Sequence, residues 1–375
     1  MGDASSPPPA GSATRDAATP EQSSSTVIPI RILTHNIRFA TDTPDRAEKL
    51  WPDRFPHLSS HFKYHTRPHF APPTTLVCMQ EVLHEQLVDL HQKTFNTSSS
   101  SSTATATATN SANGNDNDND WTYVGVGRND GKTKGEYSPI FFRQSAWKCI
   151  HFETVWLNET GQVGKKGWDA DSVRILTCAV LESVPAASHQ HHHHHHHHTS
   201  TKRVLAMNTH LDNEGEISRR ESAKVILAVA SRLRARFSPG FTFLCGDLNS
   251  HPDGDAYQIL NAPGSGFVDA RRLIPDNEDG KIYAFGNDLT FTGFPEDPAA
   301  TGAERIDFIH LGVPQDMSLE AQAQAQSHVQ AQGLDAHDTL RDMVQCYGVL
   351  PNRFDDRVWL SDHRGVVVDV LVRLL

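Results

Sequence analysis

The feature that most constrains the fold is a repeated pattern in which a short, apolar and often β-branched run ends at polar residues. Five such runs are residues 30–36, 75–81, 204–210, 241–247 and 305–309. Their length and their content of Val, Ile and Leu predict buried β-strands. Because polar residues stand at the end of each run, we expect functional groups to collect where strands end.

Helical patterns lie between the predicted strands. The clearest covers residues 219–236, where apolar residues from Ala223 to Leu233 recur every three or four positions. A second, shorter helix is predicted over 81–92. Strands and helices that mix along one chain indicate an α/β or α+β layered fold, although the pattern leaves the pairing of the strands open.

Four segments are too polar or too simple in composition to contribute to a core: residues 1–26, 96–120, 185–201 and 318–333. We interpret the first as a disordered tail and the other three as low-complexity insertions. The third segment carries an uninterrupted histidine block, 191–198, which favours a solvated loop over a metal site. Informative motifs lie on both sides of the insertions, so we predict a single domain over 27–375.

Charge and cysteine content exclude several classes of protein. With 34 Lys and Arg residues against 45 Asp and Glu residues, the formal net charge is −11, which opposes a protein that clamps duplex DNA. No apolar run approaches the roughly 18 residues of a membrane span. The five cysteines show no CxxC spacing, and the N-terminal segment has no apolar signal region. We therefore expect an intracellular protein, cytoplasmic or nuclear, without a membrane segment.

Two strand ends supply hard oxygen ligands. Asn36 stands at the end of the first run and Glu81 at the end of the second, and the pair suits Mg²⁺ or Mn²⁺, which prefer oxygen ligands and retain several waters. Each residue also has a structural interpretation. An Asn after a strand often caps a turn, and Glu81 could be a first-turn acid of the predicted helix.

A third strand end carries Asp247 and Asn249, which are two positions apart. In extended backbone these residues face the same side, so that a carboxylate and an amide point at a common place. That arrangement suits the orientation of an attacking water. An Asx-rich turn after the strand is an equally good interpretation of the tetrapeptide alone.

The last motif, Ser361-Asp362-His363, places a carboxylate next to an imidazole. Asp307, from a different strand, could hydrogen-bond the imidazole of His363 and raise its basicity. His210 adds an imidazole at another strand end. The sequence has no Ser or Cys in a nucleophile-elbow context, no HExxH, no Walker loop and no GxGxxG. These groups favour metal-assisted attack of water on phosphorus.

Seven motifs follow one another along the chain: Thr34-His35-Asn36, Met79-Gln80-Glu81, Gly135-Glu136-Tyr137-Ser138-Pro139-Ile140-Phe141, Asn208-Thr209-His210-Leu211-Asp212, Gly246-Asp247-Leu248-Asn249-Ser250, Arg305-Ile306-Asp307-Phe308-Ile309 and Ser361-Asp362-His363-Arg364. In this order they resemble the motifs of the endonuclease/exonuclease/phosphatase superfamily, and the resemblance extends over residues 28–375. It implies a DNase I-like fold, which is a four-layer sandwich of two packed β-sheets with outer helices. It also implies a divalent metal ion at one rim.

The resemblance implies a metal site in which Glu81 is the principal ligand, Asn36 lies beside it and Asp362 lies near the metal. One position departs from the family pattern, because Arg38 stands where an acidic residue is common. If that acid helps to hold metal elsewhere, this site has one negative charge fewer and depends more on Glu81.

The same resemblance implies catalytic roles for five residues: His210, Asp247, Asn249, Asp307 and His363. His210 would contact the phosphate and stabilise the charge that develops there. Asp247 and Asn249 would orient the attacking water, and Asp307 would pair with His363. Whether Asp247 or His363 takes the proton stays open.

Arg128, Lys132 and Lys134 flank a Gly-containing loop that could receive substrate phosphates, although a solvated turn is an equally good interpretation. The segment 135–140 and the Gly167-Trp168-Asp169 motif are most similar to an uncharacterised branch of bacterial and fungal hydrolases, which is itself similar to nocturnin and other deadenylases. Together with a Gly-containing loop that could receive phosphate, the similarity predicts four substrate-binding residues: Arg128, Glu136, Tyr137 and Arg174.

No readable motif specifies the substrate. A small phosphorylated molecule or the 3′ end of a single strand fits better than an internal duplex site, because the chain has no dense basic patch. We expect a Mg²⁺- or Mn²⁺-dependent phosphoesterase acting on a phosphodiester or phosphomonoester, such as a 3′–5′ exonuclease on single-stranded RNA or a small-molecule phosphatase. The alternative is a non-catalytic module that keeps the fold and binds phosphate or nucleic acid.

Overall fold

The computed structural model describes residues 2, 26–96, 119–185, 202–274, 284–295, 302–313 and 332–374. Apart from residues at their edges, the predicted tail and the three predicted insertions lie outside this part of the chain, so their lack of structure stays a prediction. Within the described ranges, no helix is both long and apolar enough to cross a membrane.

The described residues form thirteen strands and five α-helices, and β3 to β7 follow one another without a helix between them. The strands are β1 Thr26–Asn36, β2 Leu76–Gln80, β3 Trp121–Val124, β4 Ile140–Arg143, β5 Trp147–Trp156, β6 Ile175–Ser183, β7 Arg203–His210, β8 Phe241–Asp247, β9 Phe267–Asp269, β10 Ala284–Gly286, β11 Asp307–Gly312, β12 Val344–Val349 and β13 Val366–Leu374. The α-helices are α1 Trp51–Thr66, α2 His84–Asp89, α3 Glu216–Phe237, α4 Asp255–Leu260 and α5 Gln332–Met343. A π-helical turn, Leu90–Phe95, continues α2, and a 3₁₀ turn covers Ala270–Leu273.

The strands assemble into two mixed sheets that enclose the main core. One sheet has seven strands in the order β10-β12-β13-β1-β2-β4-β3, and the other has six in the order β5-β6-β7-β8-β11-β9. Ile32 and Cys78 from the first sheet and Ala206 and Phe243 from the second belong to one cluster of fully buried side chains. Burial of this apolar surface between the sheets is the main favourable term in the stability of the fold.

Helices cover the outer faces of both sheets. Leu233 of α3 packs in one cluster with Leu205 and Leu244 of the six-stranded sheet. Phe62 of α1 packs in another cluster with Leu33 of the seven-stranded sheet. Because both faces of these sheets are covered, strands such as β8 are buried along their whole length and appear in the sequence as continuous apolar runs. The predicted four-layer fold class is confirmed.

Parallel pairing brings the predicted strand ends to one rim of the sandwich. β1 and β2 are parallel, with Asn36 opposite Gln80. β7 and β8 are also parallel, with His210 opposite Asp247. The carboxyl ends of parallel strands lie at the same edge of a sheet, so each pair presents its polar residues together.

Two antiparallel strands complete this rim. β11 runs antiparallel to β8, so its first residue, Asp307, lies directly opposite Asp247. β13 runs antiparallel to β1 and begins at Val366, shortly after His363. The amino ends of these two strands therefore meet the carboxyl ends of the other four.

The helix predicted over 81–92 is wrong in its bounds. α2 begins only at His84, and the chain turns at Glu81, whose φ is 60°. Val82 then forms an isolated bridge with Tyr137. Glu81 is therefore a strand-end residue in the left-handed region, and its interpretation as a first-turn acid is also wrong.

Candidate active site

Asn36 connects residues from the two sheets. Its Nδ2 donates to Glu81 Oε1 at 3.0 Å and to Asp247 Oδ2 at 3.0 Å. Its Oδ1 accepts the backbone N–H of Arg38 at 3.0 Å, which fixes the orientation of the amide. Asn36 is fully buried, so these bonds hold the acids of both sheets against one amide.

His363 lies between two carboxylates. Its Nδ1 is 2.8 Å from Asp307 Oδ2, and its Nε2 is 3.6 Å from Asp247 Oδ2. Burial by itself lowers the pKa of His363, but the negative charges of Asp307 and Asp247 raise that pKa well above its usual value. One ligand atom from each of the three residues lies within 4.8 Å of the others. The carboxylates on both sides of the ring therefore favour its protonated form.

Asp247 is the acid at the centre of the rim. Burial, together with the negative charge of Asp307, raises the pKa of Asp247 to about 7, while His363 acts in the opposite direction. Its Oδ1 accepts the backbone N–H of Asn249 at 2.9 Å. A carboxylate with a pKa near neutrality can accept and return a proton at physiological pH.

Asn249 determines the tautomer of His210. The Nδ2 of Asn249 donates to the carbonyl of Leu211 and also lies 3.0 Å from His210 Nε2. Because this amide nitrogen is a donor, Nε2 accepts and the proton of the neutral ring is on Nδ1. Burial, followed by the positive charges of Arg174 and Arg128, lowers the pKa of His210 well below its usual value.

The extended geometry predicted for Asp247 and Asn249 is wrong. Asn249 has a φ of 44°, so the chain enters the left-handed region, which Asn tolerates better than most residues. The turn points the Asn249 amide at His210 instead of placing it parallel to the Asp247 carboxylate.

A group of charged side chains lies next to His210. Arg128 Nη1 donates to Glu136 Oε2 at 2.8 Å, and the same oxygen is 3.8 Å from His210 Nδ1. The positive charge of Arg174 acts on both His210 and Glu136, which places its guanidinium in the same group. His210 therefore lies between Asp247 and the Arg128–Glu136 ion pair.

The oxygen donors of Glu81 and Asp362 fit a hard divalent cation. Glu81 Oε2 accepts the backbone N–H of Phe39 at 3.0 Å, so the carboxylate is held in place. Burial raises the pKa of Asp362, and the negative charge of nearby Glu81 raises it further, while Arg38 opposes this. A cation between two such carboxylates would relieve their repulsion, and oxygen donors are those that Mg²⁺ and Mn²⁺ prefer.

The comparisons with known proteins agree with this fold. A model of the Endonuclease/Exonuclease/phosphatase family matches residues 33–363. The chain belongs to this family. The resemblance inferred from the motifs is thereby confirmed, and members of the Endonuclease/Exonuclease/phosphatase family are in general phosphoester hydrolases.

Solved structures of the family show similar architecture. An endonuclease/exonuclease/phosphatase from Bacteroides vulgatus is 25% identical, with a TM-score of 0.63 over 92% of this chain and 99% of that chain. A mannosyl-6-phosphatase from Bacteroides thetaiotaomicron is 23% identical, with a TM-score of 0.63 over 91% and 99%. The human nocturnin catalytic domain is 15% identical, with a TM-score of 0.52 over 91% and 94%. No curated protein matches the chain by sequence.

For Tyr137 the structure favours a role other than substrate binding. Its hydroxyl donates to the carbonyl of Lys132 at 2.8 Å and lies 3.0 Å from His84 Nδ1. Its ring packs in the core under the seven-stranded sheet and is 3% exposed. The hydroxyl is thus used to hold the loop that carries Arg128.

Sequence patterns missed the role of Asp212. Its carboxylate accepts backbone N–H groups from Asp171, Ser172 and Gly215 and the Nε of Arg174. Burial alone raises the pKa of Asp212, but these donors lower it to about 2. No local motif could reveal this role, because Asp171, Ser172 and Arg174 belong to a segment about 40 positions earlier in the chain.

Phe291 is a second residue that the patterns missed. Its ring centroid is 5.0 Å from that of His363, and its backbone forms an isolated bridge with the same residue. This contact helps to fix the orientation of the His363 imidazole, in addition to the contacts with Asp307 and Asp247.

Proposed function

We propose that the protein is a divalent-metal-dependent phosphoesterase. The observation that carries the proposal is the hydrogen-bond network in which Asn36 joins Glu81 to Asp247, next to the Asp307–His363 pair. This arrangement supplies a group for metal, a proton acceptor and a cationic group within one buried rim. A non-catalytic module would not need to keep these costly buried charges.

Glu81, Asn36 and Asp362 would hold the metal. The group formed by Asp247, Asp307 and His363 is the alternative, but the Nδ1 of His363 and the Oδ2 of Asp307 already hydrogen-bond each other at 2.8 Å. When bound, a divalent cation would polarise the phosphate and offset its negative charge.

The side chains of the rim would then carry the hydrolysis. Asp247 orients the attacking water and accepts its proton as the new oxygen–phosphorus bond forms. The bond between phosphorus and the leaving oxygen breaks, and the leaving oxygen takes up a proton from solvent or from the site. The positive charge of His363 stabilises the charge that develops on the phosphoryl oxygens.

A panel of phosphate esters with Mg²⁺ or Mn²⁺ tests the proposal. It includes a hexose 6-phosphate, phenyl phosphate, single-stranded oligo(A) and a generic phosphodiester, each with wild-type protein and with Asp247→Asn. We expect metal-dependent turnover of at least one ester by the wild type and a large loss in the variant. Equal background rates for both proteins on every ester would support the non-catalytic alternative.

A further inference from the structure

Three buried donors near His210 have no hydrogen-bond partner: Arg128 Nε, Arg174 Nη1 and His210 Nδ1. Arg174 is 4% exposed and His210 is 7% exposed, so bulk water does not solvate these side chains well. A buried donor without a partner costs on the order of 1–3 kcal/mol, and folded proteins satisfy most such groups. Three of them on neighbouring side chains point to a ligand that accepts hydrogen bonds.

The charges around these donors oppose the binding of another anionic group in addition to the phosphate that is hydrolysed. Arg128 is paired with Glu136, and Arg174 is paired with Asp212 at 3.2 Å. Each guanidinium charge is therefore matched by a carboxylate, and no positive charge is left over to attract a further phosphate. Burial and the negative charge of Glu81 raise the pKa of Glu136, while Arg128, which donates to Glu136 Oε2 at 2.8 Å, opposes that rise.

Donors beside a carboxylate acceptor suit hydroxyl groups. A hydroxyl can accept from a guanidinium or an imidazole N–H and donate to a carboxylate at the same time. A phosphate or a carboxylate could use the three donors but would be repelled by Glu136. A purely apolar group would leave all three donors unsatisfied.

We propose that Arg128, Glu136, Arg174 and His210 Nδ1 form a subsite for hydroxyl groups, and that the substrate is a phosphate monoester of a small polyhydroxylated molecule. This inference rests on the proposed phosphoesterase function. His210 lies 3.5 Å from Asp247 Oδ2 through Nε2 and 3.8 Å from Glu136 Oε2 through Nδ1. The hydroxyls thus bind about one imidazole ring away from the phosphate, a distance that a sugar or a similar polyol spans.

Glu136→Gln is the variant that tests the subsite, because it removes the charged acceptor with little change of shape. The measurement is kcat/KM for a hexose 6-phosphate and for phenyl phosphate, which has the phosphate but no hydroxyl. We expect the ratio of the two kcat/KM values to fall by about 10-fold or more, as for loss of a hydrogen bond to a charged group. Arg128→Met, which removes one of the donors, should lower the same ratio.

Glu182→Gln is the matched control. Glu182 also pairs with an arginine, Arg203, at 3.2 Å, but this pair joins the ends of β6 and β7 that are opposite to His210. The control should leave both kcat/KM values unchanged.

The outcomes of these assays separate the proposed phosphoesterase function from the proposed hydroxyl subsite. No metal-dependent turnover of any ester overturns the phosphoesterase function and the subsite together. Cleavage of oligo(A) with no turnover of the hexose phosphate overturns the subsite alone. Equal losses on both monoesters in Glu136→Gln also overturn it, since a purely structural role would not distinguish them.

Discussion

His210 and His363 lie on either side of Asp247, are both buried, and are expected to be in opposite protonation states. His363 faces Asp307 and Asp247, and their charges raise its pKa well above the usual value although burial lowers it. His210 faces Arg174 and Arg128, whose charges add to the effect of burial and lower its pKa well below the usual value.

The difference shows that the neighbouring charges, and not the residue type or the depth of burial, decide what each ring can do. The two acids favour a protonated His363, which can stabilise negative charge or give up a proton. The two arginines favour a neutral His210, which has one N–H donor and one acceptor. The site therefore has an acidic side, built on Asp307 and Asp247, and a basic side, built on Arg128 and Arg174.

The largest effect should come from the acidic side. His363→Ala should lower kcat by roughly 10²–10⁴-fold, the range expected for loss of a positioned acid–base group. Asp307→Asn should preserve folding and metal affinity but also lower kcat, because an amide can hold the ring without stabilising its protonated form. Single-turnover kinetics beside thermal melts measure the two effects.

A double variant, which combines Asp307→Asn with His363→Ala, and a control variant at a different His–Asp pair complete that experiment. The double variant should be little worse than His363→Ala, since residues that act as one unit are not additive. His57→Ala is the control, because His57 also pairs with an aspartate, Asp356, at 2.9 Å, but on helix α1. Losses in kcat that multiply in the double variant would show that Asp307 and His363 act independently.

For the basic side we expect a smaller effect, which is on the stability of the fold. Asp212 has a pKa of about 2 in the fold against 3.8 in the unfolded chain, a difference of about 1.8. At roughly 1.36 kcal/mol for each pKa unit, this corresponds to about 2 kcal/mol, present above pH 4 and lost as the pH falls through 2. Asp212→Asn should therefore lower Tm by about 4 °C or more at pH 7, and by less at pH 3.

Asp130→Asn provides the comparison for that melt. Asp130 also accepts backbone N–H groups, from Lys132 and Lys134, but it does so in an exposed turn. The decrease in Tm caused by Asp130→Asn should therefore be smaller than that caused by Asp212→Asn. A loss in Asp212→Asn that is the same at pH 7 and pH 3 would refute the electrostatic account of the basic side.

The smallest effect should come from the predicted insertions. Asn96 and Trp121 exchange two hydrogen bonds, and Ser183 donates to the carbonyl of Lys202, so the chain ends that flank two of the predicted insertions are already joined. Replacing 97–118 and 186–201 with short Gly/Ser links should change Tm by less than about 2 °C, because loop length is entropically cheap. A drop of many degrees, with loss of activity, would show that these segments support the site.

The acidic side could largely be predicted from the strand ends, whereas Arg128 and Arg174 of the basic side were predicted only through the resemblance to the family. Asn36 and Asp247 each stand at the end of an apolar run and Asp307 at the start of one, and this local signal is strong when the strands are buried on both faces. Their convergence follows once the strands pair in parallel and antiparallel order at one rim.

The states of the two histidines depend on contacts that no local pattern contains. The tautomer of His210 is determined by an amide in a left-handed turn, and its low pKa by guanidinium groups from segments that are 36 to 82 positions away along the chain. The turn at Glu81 was likewise hidden, because a glutamate before a helical pattern usually indicates a first-turn acid.

Metal dependence of phosphate release tests the central claim most directly. Wild-type protein and Glu81→Gln are assayed on the ester that the panel identifies, after treatment with EDTA and after addition of Mg²⁺. The account predicts no turnover in EDTA, recovery with Mg²⁺ in the wild type, and a loss of roughly 10²-fold or more in the variant. Full turnover in metal-free buffer, or equal rates for the two proteins with Mg²⁺, would contradict it.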